Sequence, residues 1–512
     1  MIRRDPNPSR RRFLHRAGAL GAGAAAAPWL ANLAALAGTA PAFGAQTSGY
    51  RALVCLFLYG GNDAYNTVLA TEKDSWQAYL AARDSEPGSI ALAPVGAKPV
   101  KGARNFNMQL GGVLPITPAN TQNREFALHP CLAGVVDLFQ QKKVAIVANV
   151  GPLVQPTTKK AYLAGKAKLP PKLFSHNDQQ SVWQSMGPEG TPVGWGGGIA
   201  DLLQSANHNP IFTSISMDGA AVWLAGNNVR PYQLGLDGAI HIGSDDGTLF
   251  SSALAQQTLM NIMRTTRSGR VIEVEHAAVS ARSMDAEATL SPVYPPADGG
   301  PWGTQNLPPG KPDPLLMYTP PSTGVPTLNP VSQQLQAIAR MIAARSALGS
   351  ARQIFFVGVD GFDTHDTLPT RHADAMASLA QALSYWNMVT TSMGVDGQVT
   401  TFTASDFGRA FNSNGSGCDH GWGGHHFVMG GSVLGGDIYN RFPHYGQSDG
   451  AGGFLSQDQL ADGALLPTTS VDQFGATLGG WMGLSATELL GVMPNLGNFP
   501  LGQRDMGFMN NT

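Results

Sequence analysis

Cysteine is scarce in this 512-residue chain, which has only Cys55, Cys131 and Cys418. Three thiols cannot build a disulfide scaffold, so the fold must rest on a buried core. An oxidising compartment would permit one bridge, with no pair singled out. Positive charge is also in short supply. The formal net charge is −2, and residues 1–42 hold six arginines and one aspartate. Beyond them, 27 basic side chains face 34 acidic ones, a net charge near −7. That balance argues against nucleic acid or an anionic membrane surface as a partner. No apolar run of about 20 residues follows residue 42, which excludes a permanent membrane span in that part of the sequence. No internal repeat is visible.

The N-terminus carries Ser9-Arg10-Arg11-Arg12-Phe13-Leu14, an Ala/Gly/Leu-rich run over 17–40, and Ala40-Pro41-Ala42. A charged start, a weakly apolar stretch and an A-x-A end have the form of an export signal over 1–42. The paired arginines match the twin-arginine subclass, whose passengers cross the membrane folded. The expected partner of the precursor is therefore the twin-arginine export machinery, and the expected location is periplasmic or secreted. The competing reading is a membrane anchor, but Pro28, Asn32 and the many small residues make a poor span.

The remaining 470 or so residues suit one large α/β domain or two smaller ones. Glycine (62) and proline (35) imply many loops, while 43% hydrophobic content implies a folded core. The apolar run 52–59 ends in Gly60-Gly61, as a buried strand does. Similar strands are expected over 144–150, 211–216, 353–358, 398–403 and 427–430. Helical spacing places Leu132, Val135, Val136 and Phe139 on one face. It also predicts helices over 198–205, 333–347 and 370–393. Ser470 and Gln473 have capping-box form ahead of a helix through Trp481. Alternating strands and helices predict a mostly parallel sheet covered on both faces. Residues 291–326, rich in proline and glycine, predict a long loop.

Ligands bind beyond the carboxyl ends of strands in such sheets. Polar clusters follow most of the expected strands: Asn62-Asp63, Ser175-His176-Asn177-Asp178, Asp363-Thr364-His365, Ser405-Asp406 and Asp419-His420. The last leads into His425-His426. Carboxylate and imidazole together suit one or two divalent ions, whether zinc, magnesium, calcium or manganese. Asp63, Asp363, His365, Asp406, His420 and His425 are the candidate ligands, in a pattern compatible with two metals. Asp63 and Asp363 equally suit helix caps. His425 and His426 point to opposite faces of a strand, so one of the two at most is a ligand.

GGNDAYNT, SHNDQQ, GFDTHD, SDFGR, DHGWGGHHFVMGG and PTTSVDQFGATLGGWMGL, in that order after a twin-arginine leader, resemble the bacterial domain of unknown function 1501 family. That family is similar to the alkaline phosphatase and sulfatase superfamily. The resemblance implies a single α/β domain over 50–510, an alkaline-phosphatase-like sandwich with a mixed, mostly parallel central sheet flanked by helices. It also implies a metal-dependent hydrolase whose substrate is an anionic phosphate or sulfate ester. Under it Asp63, Asp363, His365 and Asp406 match metal-binding positions. Phe407 stands where a histidine or asparagine is usual, and His420 could replace that ligand, leaving His425 as the last. Ser175, ahead of a helix, falls where the nucleophile is expected; a plain N-cap is the other reading. Arg409 could clamp the ester or make a salt bridge. No C/S-x-P-x-R motif is present, which counts against an ordinary sulfatase. The alternative is a catalytically degenerate periplasmic metal- or glycan-binding protein of the same fold.

Overall fold

The apolar run after Tyr50 forms β1 (Arg51–Leu58), buried along nearly its whole length because helices cover both sheet faces. Its alternation sorts the two faces. Val54, Leu56 and Leu58 join one core cluster, while Phe57 meets Trp183 and Phe356 on the other side. This computed structural model describes residues 49–84, 88–241, 247–266 and 268–510. The expected export signal, 1–42, lies outside them.

The central sheet adds β2 (Val144–Gly151), β3 (Ser214–Ser216), β4 (Tyr232–Gln233), β5 (Arg352–Val359), β6 (Val399–Ser405), β7 (Gly424–Met429), β8 (Ile438–Tyr439) and β9 (Thr469–Ser470). Eight strands run in the order β8-β2-β7-β6-β1-β5-β3-β4, and β9 pairs with β2. β1 is parallel to both β5 and β6, so these three end at one edge. β7 runs antiparallel to its neighbours β6 and β2, which makes the sheet mixed but mostly parallel.

The helices needed below are α1 (Lys73–Arg83), α2 (Ala133–Gln140), α3 (His176–Ser185), α4 (Trp195–Leu203), α5 (Ala253–Arg264), α6 (Val271–Leu290), α7 (Pro330–Ala343), α8 (Leu368–Ser392) and α9 (Val471–Met482). α2, α7 and α8 bury Val135, Phe139, Leu335, Ile338, Met376, Leu379 and Trp386 in the larger core. On the opposite face, Trp183, Trp195 and Phe474 of α3, α4 and α9 pack around Phe57 and Phe402. α9 starts with the expected capping box, Ser470 with Gln473. The 211–216 run is a strand only at its end, since Pro210 opens a 3-10 turn over Pro210–Phe212. Within 291–326 a 3-10 turn and a short strand, Met317–Tyr318, interrupt the loop. No helix among the described residues is long and apolar enough to cross a membrane.

Candidate metal centre

Gly60 and Gly61 turn the chain at the end of β1 with φ of 109° and 86°. A side chain at Gly60 would strike the Asp363 backbone, and one at Gly61 the Phe407 ring. Glycine thus lets the segments that follow β1, β5 and β6 close on one another. His176, Asp363, His365 and His420 converge there, each offering one ligand atom, all within 4.8 Å of one another. His365 Nε2 lies 2.8 Å from His420 Nε2. Asp363 Oδ1 lies 3.3, 3.7 and 4.0 Å from the Nε2 atoms of His365, His176 and His420. Donors about 2.0–2.1 Å from a tetrahedral ion sit about 3.3 Å apart, so the spread brackets that geometry.

The other ring nitrogens explain the convergence. His176 Nδ1 is 2.7 Å from Asp406 Oδ2, His420 Nδ1 2.7 Å from the Phe174 carbonyl, and His365 Nδ1 3.3 Å from Asp419 Oδ1. Carbonyl and carboxylate oxygens only accept, so each Nδ1 donates and each neutral ring is left with a bare Nε2. Two bare nitrogens facing at 2.8 Å repel unless a cation or a proton lies between them. His420 favours the neutral form because burial lowers its pKa and the His176, Arg409 and His365 charges add to this, outweighing its bond to Phe174. The His176 pKa is raised, chiefly by its bond to Asp406. Partial burial pushes the Asp363 carboxyl up, but the hydrogen bond and charge of Arg409, with the charges of His176 and His365, hold it below its ordinary value. A donor set of three imidazoles and one carboxylate fits zinc or a similar transition ion better than magnesium or calcium, which prefer oxygen.

A profile of proteins of unknown function, DUF1501, matches residues 50–493. The chain belongs to the DUF1501 family. No curated protein matches it. Among solved structures, this DUF1501 chain is similar to Ps i-CgsB at a TM-score of 0.31 and 9% identity, over 90% of this chain and 75% of that one. A Bacteroides thetaiotaomicron structure, BT33494S-sulf, from a locus for metabolism of multiple glycosaminoglycans, gives 0.31 and 9% over 86% and 74%.

Of the six ligands expected from the sequence, the DUF1501 fold brings Asp363, His365 and His420 together and places the other three elsewhere. Asp63 is wholly buried and its two oxygens are taken by Arg83 of α1, at 2.5 and 2.9 Å. Tyr65, Tyr79 and Phe411 surround that guanidinium. Asp406 stands behind the cluster: its Oδ2 accepts from His176, from Gln180 Nε2 at 2.8 Å and from the Gly60 N–H at 3.2 Å. Its buried Oδ1 has no hydrogen-bond partner among the described residues. His425 is buried in β7, where its Nδ1 accepts from the Asn149 N–H and its ring stacks on Phe442. His426 faces Trp183 and Phe474 on the other side. Burial, with the nearby His426 and Arg124 charges, lowers the His425 pKa to about 3.

Arg409 is fully buried rather than poised at the surface. It donates to the carbonyls of Cys418, Gly60 and Phe362 and, at 3.1 Å, to Asp363 Oδ1. Buried and bonded to these acceptors, it holds Asp363 in place rather than presenting an exposed fork to an ester. Ser175 is the N-cap residue of α3 without a capping side-chain bond, and its Oγ donates to Asp178 Oδ2 at 2.9 Å. Phe407 packs its ring on His176 and His420. His176 is the member of the cluster that strand-end reasoning did not single out. Its signal is helical: His176 and Gln180 are four apart on α3 and both reach Asp406.

Proposed function

We propose that this protein is an exported metal-dependent hydrolase acting on a sulfate or phosphate monoester, with one divalent ion held by His176, Asp363, His365 and His420. The observation that carries the metal is the convergence of four ligand atoms within 4.8 Å, with two imidazole Nε2 atoms 2.8 Å apart whose Nδ1 atoms both face oxygen acceptors. An ion at this position would supply Lewis acidity toward the ester oxygens. Asp363, Asp406 and Asp419 together balance the ion and Arg409, so the ion itself is the positive group an anionic ester would meet. Ser175 lies between Phe174, whose carbonyl holds His420, and the ligand His176. Its Oγ already donates to Asp178, a carboxylate able to take that proton as Oγ bonds to sulfur or phosphorus and the ester's S–O or P–O bond breaks; the proton then passes to the departing alkoxide, and water hydrolyses the serine ester to release sulfate or phosphate. The first turn of α3 presents backbone N–H groups beside that oxygen. The leader over 1–42 supports export.

A second reading, metal or glycan binding without turnover, is favoured by the donor count, because four protein ligands can saturate a tetrahedral ion. Aryl sulfate and aryl phosphate turnover by the zinc-loaded protein decides between them. Under the hydrolase reading Ser175→Ala abolishes turnover with metal content retained. Absence of turnover with bound metal leaves the binding reading, and full activity in Ser175→Ala removes Ser175 as nucleophile.

A further inference from the structure

Five of the eleven lysines in the chain fall between positions 159 and 172, and no aspartate or glutamate occurs from 151 to 177. This strap ends at the metal centre. At its start, Lys159 Nζ is tied down by the carbonyls of Phe454 and Ser456. Tyr162 and Leu173 pack on the small core containing Trp422, two residues beyond His420. At its end, the Phe174 carbonyl accepts from His420, and Lys172 lies 3.5 Å from Asp178, beside Ser175. Between these anchors Lys160, Lys166 and Lys168 are exposed, with no hydrogen bond or ion pair from their side chains among the described residues. In a chain whose remainder is acidic, such concentration of charge on a segment that ends at the centre is a local field for a multiply charged anion.

We propose that this strap binds the chain of an acidic polysaccharide bearing sulfate or phosphate monoesters, and so feeds those esters to the centre. This rests on the ester-hydrolase reading above. The lysines supply point charges for successive ester groups, and the Phe174 ring, 36% exposed at the rim, offers a flat apolar face for a sugar ring. The strap contains no arginine, the residue preferred for phosphodiester recognition in nucleic acids. Its helix, Lys159–Leu163, is too short to present the continuous apolar face that a membrane-surface helix inserts.

The test is direct binding of the full chain to dextran sulfate, with uncharged dextran as control, in the presence of chelator so that neither metal nor turnover is read. Wild type is expected to bind dextran sulfate in a salt-dependent manner and to ignore dextran. Lys160→Glu/Lys166→Glu/Lys168→Glu, checked for an unchanged melting temperature, is expected to lose at least about tenfold in affinity. The slope of log K against log salt should flatten by roughly three ion equivalents. If that variant fails to fold, the triple Lys→Gln variant should give the same loss. No binding by wild type, equal binding by the folded variant, or tighter binding to single-stranded DNA or phosphatidylserine vesicles would overturn the proposal. A negative result here leaves the hydrolase reading standing, since that reading is judged by metal content and aryl-ester turnover.

Discussion

Asp406→Asn is the most informative single change, because Asp406 touches the proposed ion only through His176. Its Oδ2 accepts three donors, from His176, Gln180 and Gly60, inside a wholly buried environment. An asparagine that keeps its oxygen there must place two N–H donors where Oδ1 now has no partner. The opposite flip would aim those donors at three others. Hydrogen bonds to charged groups contribute about 1.5–3 kcal/mol and neutral ones about 0.5–1.5, so His176 loses roughly 1–1.5 kcal/mol of orienting energy. That corresponds to about tenfold weaker metal binding, at the lower end of the 10–100-fold typical for partners of metal-bound histidines. Competition titration of zinc against a chromophoric chelator at pH 7.5 measures it, with circular dichroism confirming the fold. A folded Asp406→Asn protein whose zinc affinity lies within about twofold of wild type would refute the claim that Asp406 orients a ligand.

Three further outcomes follow from other residues. Asp63→Asn leaves the Arg83 charge buried without its carboxylate and should cost about 3–5 kcal/mol in urea denaturation, with zinc stoichiometry per folded chain unchanged; lost zinc at intact stability would return Asp63 to the centre. Asp472, at the start of α9, has its carboxyl pushed up to about 6 by burial, against smaller opposing bonds from Asn495 and Ser470. The folded state therefore binds a proton more tightly than the unfolded one, so wild-type stability falls as pH rises from about 4 to 6. Asp472→Asn should be more stable by up to about 3 kcal/mol at pH 7.5, with the gap closing by pH 4; a gap that widens on acidification would contradict the burial argument. Gly61→Ala should destabilise the chain and weaken zinc binding together, since its Cβ meets the Phe407 ring that packs on His176 and His420; an unchanged melting temperature would show that Phe407 can yield.

The legible part of the fold was the part written as uninterrupted apolar runs. β1, β2, β5 and β6 are buried on both faces, so composition alone marks them. The reversal of β7 was not legible, because strand direction is decided by its pairing with β6 and β2, not by its residues. α6 spreads its apolar residues around the helix and so carries no clear apolar stripe, while α5 has such a stripe but buries no residue with it, so periodicity alone did not tie either to the core. At the site, strand-end position located Asp363 and His365 well, since β5 delivers them directly. Asp63 has the same address, but its fate was settled by Arg83, twenty residues away on another element. Likewise nothing local distinguishes His425 from His420. One lies within a buried strand, the other in the loop before it, hydrogen-bonded to Phe174. His176 was hidden because a helix begins with it after a long irregular connection.

The central claim is one ion held by three imidazoles and a carboxylate. Zinc-edge X-ray absorption on the zinc-reconstituted protein, combined with elemental analysis, tests it most directly. About one zinc per chain is expected, with a shell of three histidine nitrogens and one oxygen donor that loses one nitrogen in His176→Ala. A chain that takes up no zinc, takes up two, or keeps an unchanged shell in His176→Ala would contradict it.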